Sequence, residues 1–287
     1  MPAYSGILKE SRKRRWRRHV RPTLPGYSGI RGGTRDIVRL HADDGGTGGP
    51  PVVLLHSAAG NISQWSRQLE HLRPGRRAVA LDWRGHGESG IPDDGDFSIP
   101  VLAEDVEYTL NELGIRECVL VGHSAGGIVA IEHATRHPER VLGLMLADPA
   151  GDFTRVPKEM MDPLLAGLDS DAYRETIGDY WNSILAGSRP EVEERVLADL
   201  EATPQQTIVG LFRAQMNYDP APALRRYPGP KFSLVTPNND APFGLHNLGE
   251  DLPHEFFPGT GHWLHMDRPE DFNRRLDDFL VAVGSEV

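Results

Sequence analysis

A hydroxyl, an imidazole and a carboxylate in suitable order along a chain can carry out nucleophilic acyl chemistry, and this sequence offers such a set at Ser124, Asp240 and His262. A serine hydroxyl is a poor nucleophile at neutral pH until an imidazole takes its proton. The imidazole in turn needs a carboxylate to fix its tautomer and stabilise its cation. Ser124 stands in Gly122-His123-Ser124-Ala125-Gly126, after the apolar run Cys118-Val119-Leu120-Val121 and before Ile128-Val129-Ala130. The run has the length and β-branched content of a buried strand, and the residues after the turn continue as a helix. Glycines two before and two after the serine suit a turn where strand and helix meet with no room for a Cβ. The serine is then lifted and strained at a helix N-terminus, whose free N–H groups face any oxyanion formed beside it.

The partners of the serine need loops that follow later strands. Asp240 comes after the apolar segment Lys231–Val235, through Thr236-Pro237-Asn238-Asn239, and His262 comes after His254-Glu255-Phe256-Phe257, through Pro258-Gly259-Thr260-Gly261. Asp240 is therefore the expected acid, and Asp148, which follows the strand-like run Val141–Ala147, is the lesser alternative. His86 lies between glycines ahead of the serine, out of order for a base, and reads as structural. His133 and His137 share a helix face without a carboxylate or cysteine motif, which reads as a surface pair and not as a metal site. His265, three residues after His262, is a candidate for the pocket. Trp65, Trp181, Phe212, Met216, Tyr218 and Trp263 are the aromatic and thioether side chains that could furnish an apolar pocket, each equally suited to the core.

Strands apolar throughout alternate with helical segments. Val52–Leu55, Ala78–Leu81 and Val141–Ala147 are continuous apolar runs, and residues 36–42 alternate well enough for a further strand. Residues 43–50 are rich in Asp, Gly and Pro and read as a hairpin connection. Asn61 can cap a helix carrying Ile62, Trp65, Leu69 and Leu72 at helical spacing, and residues 98–113 form a second helix closed by Gly114. Such alternation predicts a parallel sheet covered on both faces. From 149 to 228 the alternation stops. Residues 171–185, 190–200 and 204–216 look helical, so this segment is expected as a helical cap over the C-terminal edges of the strands, with residues 26–148 and 229–287 as the core. A final amphipathic helix is expected over 269–283.

The 287 residues, with 39% hydrophobic and 25% charged side chains, are ordinary for a chain with a sizeable core. No apolar stretch approaches a membrane span. The single cysteine, Cys118, excludes an intramolecular disulfide and points to a reducing cytoplasm. The net charge of -10 hides a basic arm over residues 1–25, where Lys9, Arg12, Lys13, Arg14, Arg15, Arg17, Arg18 and Arg21 oppose only Glu10. The acidic remainder argues against nucleic acid as a partner. The arm is expected to be a flexible extension and lacks the apolar region that would make it an export signal.

Taken together, these residues resemble the α/β-hydrolase fold family, in its capped serine hydrolase and esterase form. The matching pieces are His56-Ser57, Asp82-Trp83-Arg84-Gly85-His86-Gly87-Glu88-Ser89, Gly122-His123-Ser124-Ala125-Gly126, Asn238-Asn239-Asp240, and Gly261-His262 with Arg268-Pro269-Glu270. The resemblance spans residues 26–287 in the family's order. It implies Ser124 as nucleophile, His262 as general base and acid, Asp240 as orienting carboxylate, and the backbone N–H groups of Ala125 and Ala58 as the oxyanion hole. Ser57 stands where most relatives carry glycine, and Ser57, His123, Trp181, Phe212, Met216 and Trp263 are the expected pocket residues. The implied activity is cofactor-independent cleavage of an ester, lactone or related acyl compound, with a small-molecule substrate, no metal, and a homo-oligomer left open. The same triad serves carbon-carbon bond hydrolysis, acyl transfer and perhydrolysis. Other classes on the scaffold are a ligand-binding or receptor-like protein with little turnover, and a lyase or cofactor-free oxygenase.

Overall fold

A computed structural model describes residues 30–32, 35–248 and 251–285. The basic arm expected over 1–25 lies outside the described residues. Two short strands, β1 (Ile30–Gly32) and β2 (Arg35–Ile37), pair antiparallel ahead of the main sheet. In chain order the remaining elements of the first half are β3 (Ala42–Gly45), β4 (Val52–Leu55), α1 (Ser66–Leu72), β5 (Ala78–Leu81), α2 (Ile99–Glu112), β6 (Cys118–His123), α3 (Ala125–Arg136) and β7 (Val141–Ala147). Five helices follow, α4 (Lys158–Leu168), α5 (Tyr173–Ile184), α6 (Pro190–Ala202), α7 (Gln205–Met216) and α8 (Ala221–Arg226). The chain then returns to the sheet with β8 (Lys231–Val235) and β9 (His254–Phe256), and ends in α9 (Leu264–Asp267) and α10 (Pro269–Ser285).

The main sheet has seven strands in the order β3-β5-β4-β6-β7-β8-β9. All neighbours run parallel except β3, which pairs antiparallel with β5 at the edge. The period of two along each strand sends alternate side chains to opposite faces. Val53, Leu55, Val79, Leu81 and Leu120 join one core with α2, α3 and the helices between β7 and β8. Val52, Leu54, Ala78, Ala80, Val119 and Val121 join the other, against α1 and α10. A sheet buried on both faces explains why these strands read as unbroken apolar runs.

Two expectations need correction. Residues 36–42 do not form one strand: β2 ends at Ile37 and β3 begins at Ala42. Nor do residues 43–50 make a hairpin turn, because β3 pairs with β5 and not with β4. Arg73 grips Asp43 through its carboxylate at 2.6 Å, and Arg77 grips Asp44 at 2.7 Å, so these acidic residues belong to the strand edge and not to a turn.

Helices α4, α8 and α9 escape the sequence reading for different reasons. Pro163 lies inside α4, while α8 and α9 span only six and four residues, too short for a periodic signal. Among the described residues, no helix is long and apolar enough to cross a membrane.

Candidate active site

The turn after β6 is built backbone against backbone. A Cβ on Gly122 would run into the backbone of Gly126 and Gly127, and one on Gly126 would run into the carbonyls of Leu55 and His56. Ser124 sits between them at φ 53 and ψ -120, a conformation that costs a non-glycine residue on the order of 1–3 kcal/mol. Helix α3 begins at the next residue, so the Ala125 N–H is among the first-turn donors that have no acceptor within the helix. Ser57, Ala58, Ser124 and His262 line one cavity of about 350 Å³.

The loop carrying His262 is tied on both sides. Asp267 on α9 accepts from the Gly261 N–H at 2.9 Å, from the Arg189 N–H at 2.9 Å and from the Ser188 hydroxyl at 3.1 Å. The His262 N–H donates to the Ile184 carbonyl at 3.2 Å. Behind the ring, His123 donates from Nε2 to the His262 carbonyl at 2.9 Å. His123 is fully buried, and desolvation, followed by the neighbouring His265 and His262, drives its pKa well below the ordinary value, so it stays neutral.

The carboxylate hydrogen-bonded to His262 is that of Asp148, not Asp240. The imidazole Nδ1–H donates to Asp148 Oδ2 at 2.5 Å. Asp148 also accepts from the Thr236 N–H at 2.7 Å and from the Thr236 hydroxyl at 2.9 Å, and is fully buried at the end of β7. Asp240, by contrast, ends a 3-10 turn over Pro237–Asn239, which carries it to the surface. There it accepts from Asn247 at 2.8 Å and from His246 at 3.1 Å, hydrogen bonds that hold its carboxyl below the usual range. Its side chain is 47% exposed and it does not line the cavity.

Trp181, Phe212 and Trp263 line the cavity, as does Ser57. His123 and Met216 do not: the first lies beneath the His262 loop, and the second packs partly buried against the core. Trp65 and His265 stack on one another at 4.1 Å in the core, and burial lowers His265 to about 3. Tyr218 donates to Glu132 at 2.6 Å, away from the site. His86 is structural, with its Nε2 accepting from the Ala59 N–H at 3.2 Å. His133 is not a surface residue; it is fully buried and donates to Glu107 at 3.2 Å. That hydrogen bond is the main reason the Glu107 carboxyl falls to about 2. Among the described residues, no group of three or more His, Cys, Asp or Glu could hold a metal ion.

The pocket has walls that the sequence reading missed. Tyr180, Ile184 and Ser183 flank Trp181 on α5, Gln215 joins Phe212 on α7, Phe153 opens a 3-10 turn and Phe243 comes from a loop. Ile184 and Gln215 stand three residues after Trp181 and Phe212, a helical spacing present in the sequence, whereas Phe153 and Phe243 have no periodic signature.

The segment Asp82 to Ser89 holds the surrounding loops. Asp82 accepts from the Ile62 N–H at 2.7 Å and the Glu88 N–H at 2.9 Å. Arg84 is fully buried and forms a two-pronged pair with Asp105 at 2.5 and 2.7 Å, the geometry in which a buried guanidinium is best satisfied.

Comparison with known proteins agrees with this architecture. Residues 50–269 match the family model described as alpha/beta hydrolase fold. The sn-1-specific diacylglycerol lipase ABHD11 of Mus musculus is 28% identical over 260 residues, covering 83% of each chain. Among solved structures, a thermophilic esterase from Thermogutta terrifontis superimposes with a TM-score of 0.71 at 24% identity, covering 86% of this chain and 94% of that one. Est816, an N-acyl homoserine lactone degrading enzyme, does so with a TM-score of 0.71 at 22% identity, covering 88% and 100%. The family match extends over more than half of the residues, and the chain accordingly belongs to the alpha/beta hydrolase fold family.

Proposed function

We propose that this protein is a cofactor-independent serine hydrolase that cleaves an ester, lactone or related acyl compound through an acyl-enzyme on Ser124. The observation that carries the reading is the 2.5 Å hydrogen bond from His262 to the buried Asp148, in a cavity that Ser124 also lines. A carboxylate on Nδ1 fixes the proton there and leaves Nε2 as the basic nitrogen. Ser124 attacks the acyl carbon while its proton passes to His262 Nε2. The N–H groups of Ala125 and Ala58 receive the oxyanion. His262 then returns the proton to the leaving alkoxide as the carbon–oxygen bond breaks. Water repeats the sequence against the acyl-enzyme and releases the acid.

The helical segment 149–228 serves as a cap in this reading, since α5 and α7 supply part of the cavity wall. The cavity lining carries no Lys or Arg among the described residues and is rich in Tyr180, Trp181, Phe212, Phe243 and Trp263, which suits an uncharged acyl group. Similarity to a lipase, an esterase and a lactone-degrading enzyme supports the same class.

A fluorophosphonate probe tests the reading. Folded protein is expected to be labelled at Ser124 and to hydrolyse short acyl esters, with both properties lost in Ser124→Ala. Absence of labelling in folded wild-type protein, or ester turnover retained by Ser124→Ala, would overturn it.

A further inference from the structure

The Ser57 side chain is held in one polarity by the groups behind it. Ser57 is 2% exposed, lines the same cavity as Ser124 and His262, and precedes Ala58. Asp199, a buried residue on α6, accepts from Gln64 Nε2 at 3.0 Å and from Asn61 Nδ2 at 2.8 Å, and pairs with Arg195 Nε at 3.1 Å. With Arg195, Gln64 and Asn61 all donating to it, the Asp199 carboxylate acts as an acceptor only. Gln64 must therefore turn its amide NH2 toward Asp199, which leaves its carbonyl oxygen facing the Ser57 hydroxyl at 3.3 Å. That oxygen also only accepts. The Ser57 proton consequently goes to Gln64 or to the Ala58 carbonyl, also at 3.3 Å, and in either case stays within the protein. On its remaining side the hydroxyl oxygen then offers lone pairs alone.

We propose that Ser57 is a specificity-determining acceptor that selects acyl substrates carrying a hydroxyl or N–H donor on the carbon next to the scissile carbonyl, the class of 2-hydroxyacyl and 2-amidoacyl esters and lactones. This inference rests on the serine hydrolase reading and narrows its substrate class. A hydroxyl with its proton committed elsewhere cannot donate to an oxyanion, so that task stays with the backbone N–H groups. It can accept from a substrate donor held beside them. A substrate without the donor leaves a buried acceptor unpaired, and the resulting discrimination is about tenfold for one such hydrogen bond.

The test compares phenyl 2-hydroxybutanoate with phenyl 2-methoxybutanoate, which differ in whether the 2-oxygen can donate. The quantity read is the ratio of their kcat/KM values, each corrected for uncatalysed hydrolysis, so that a general loss of activity cancels. Wild type is expected to favour the hydroxy ester by about tenfold, and Ser57→Ala to bring the ratio close to one. Asp199→Asn lets the Gln64 amide turn over and frees the Ser57 proton, so it too should lower the ratio, although residue 199 lies outside the cavity lining. A wild-type ratio near one, or a preference that survives in Ser57→Ala or in Asp199→Asn, would overturn the proposal while leaving the hydrolase reading intact. Failure of wild type to hydrolyse either ester together with absence of fluorophosphonate labelling would overturn both.

Discussion

Two consecutive strands of the sheet, β7 and β8, lead into loops that each present an aspartate ahead of His262 in the chain. After β7, Asp148 is fully buried, at a φ of 44, and accepts from His262 and twice from Thr236. After β8, Asp240 comes five residues beyond the strand end and is satisfied by exposed Asn247 and by His246. Residue type and chain order are the same for both. What separates them is the distance from the strand end: Asp148 is fixed by the sheet itself, its N–H bonded to Leu234, whereas a 3-10 turn has already swung Asp240 outward. A carboxylate aligned by donors in a dry site can orient an imidazole, whereas one surrounded by water spends its hydrogen-bonding capacity on surface neighbours.

That contrast between dry, over-determined positions and open ones can be broken at several points. The largest effect is expected from His262→Ala, which removes the proposed base at the dry site and should lower kcat toward acyl esters by about 10⁴-fold or more. Stopped or steady-state ester assays on folded protein measure it. Gly126→Ala comes next: its Cβ has nowhere to go between the Leu55 and His56 carbonyls, and a loss of about 3 kcal/mol in urea unfolding is expected. Gly178→Ala, in the middle of α5, meets nothing within 4 Å and should instead stabilise by about 0.5 kcal/mol or more. Equal effects at the two glycines would erase the distinction.

Histidines extend the contrast to pH. His86 and His265 are buried and held at about 3, mainly by desolvation, against an ordinary value of 6.5. Because the folded values lie below the unfolded ones, the unfolded chain takes up protons first as pH falls. The stability contribution is complete above about pH 6.5 and is lost progressively between 6.5 and 3. At pH 5.5 the two together should cost about 3 kcal/mol relative to pH 7.5, read from urea midpoints. A flat profile over that interval would contradict the burial of these rings.

Much of the fold was legible because its strands are short, apolar and covered on both faces, as with Val52–Leu55 and Ala78–Leu81. The serine turn was legible for a steric reason, since Gly122 and Gly126 leave a local signature of close backbone approach. The acid was harder. A sequence states that Asp148 and Asp240 both follow strands, but burial and hydrogen-bond direction depend on Thr236 and on how the Pro237–Asn239 turn leaves the sheet. Buried polar partners such as Asp267 with Ser188, or Gln64 with Asp199, join residues far apart in the chain and leave no periodic trace. The same holds for the buried His133, whose hydrogen-bond partner Glu107 lies on another helix.

The most direct measurement sets Asp148→Asn beside Asp240→Asn and compares kcat/KM for one acyl ester. An asparagine behind the ring favours the wrong tautomer of His262, so Asp148→Asn should fall by about 10³- to 10⁴-fold, while Asp240→Asn stays within about threefold of wild type. A loss concentrated in Asp240→Asn, or near-wild-type turnover by Asp148→Asn, would contradict the assignment of the buried carboxylate as the partner of His262.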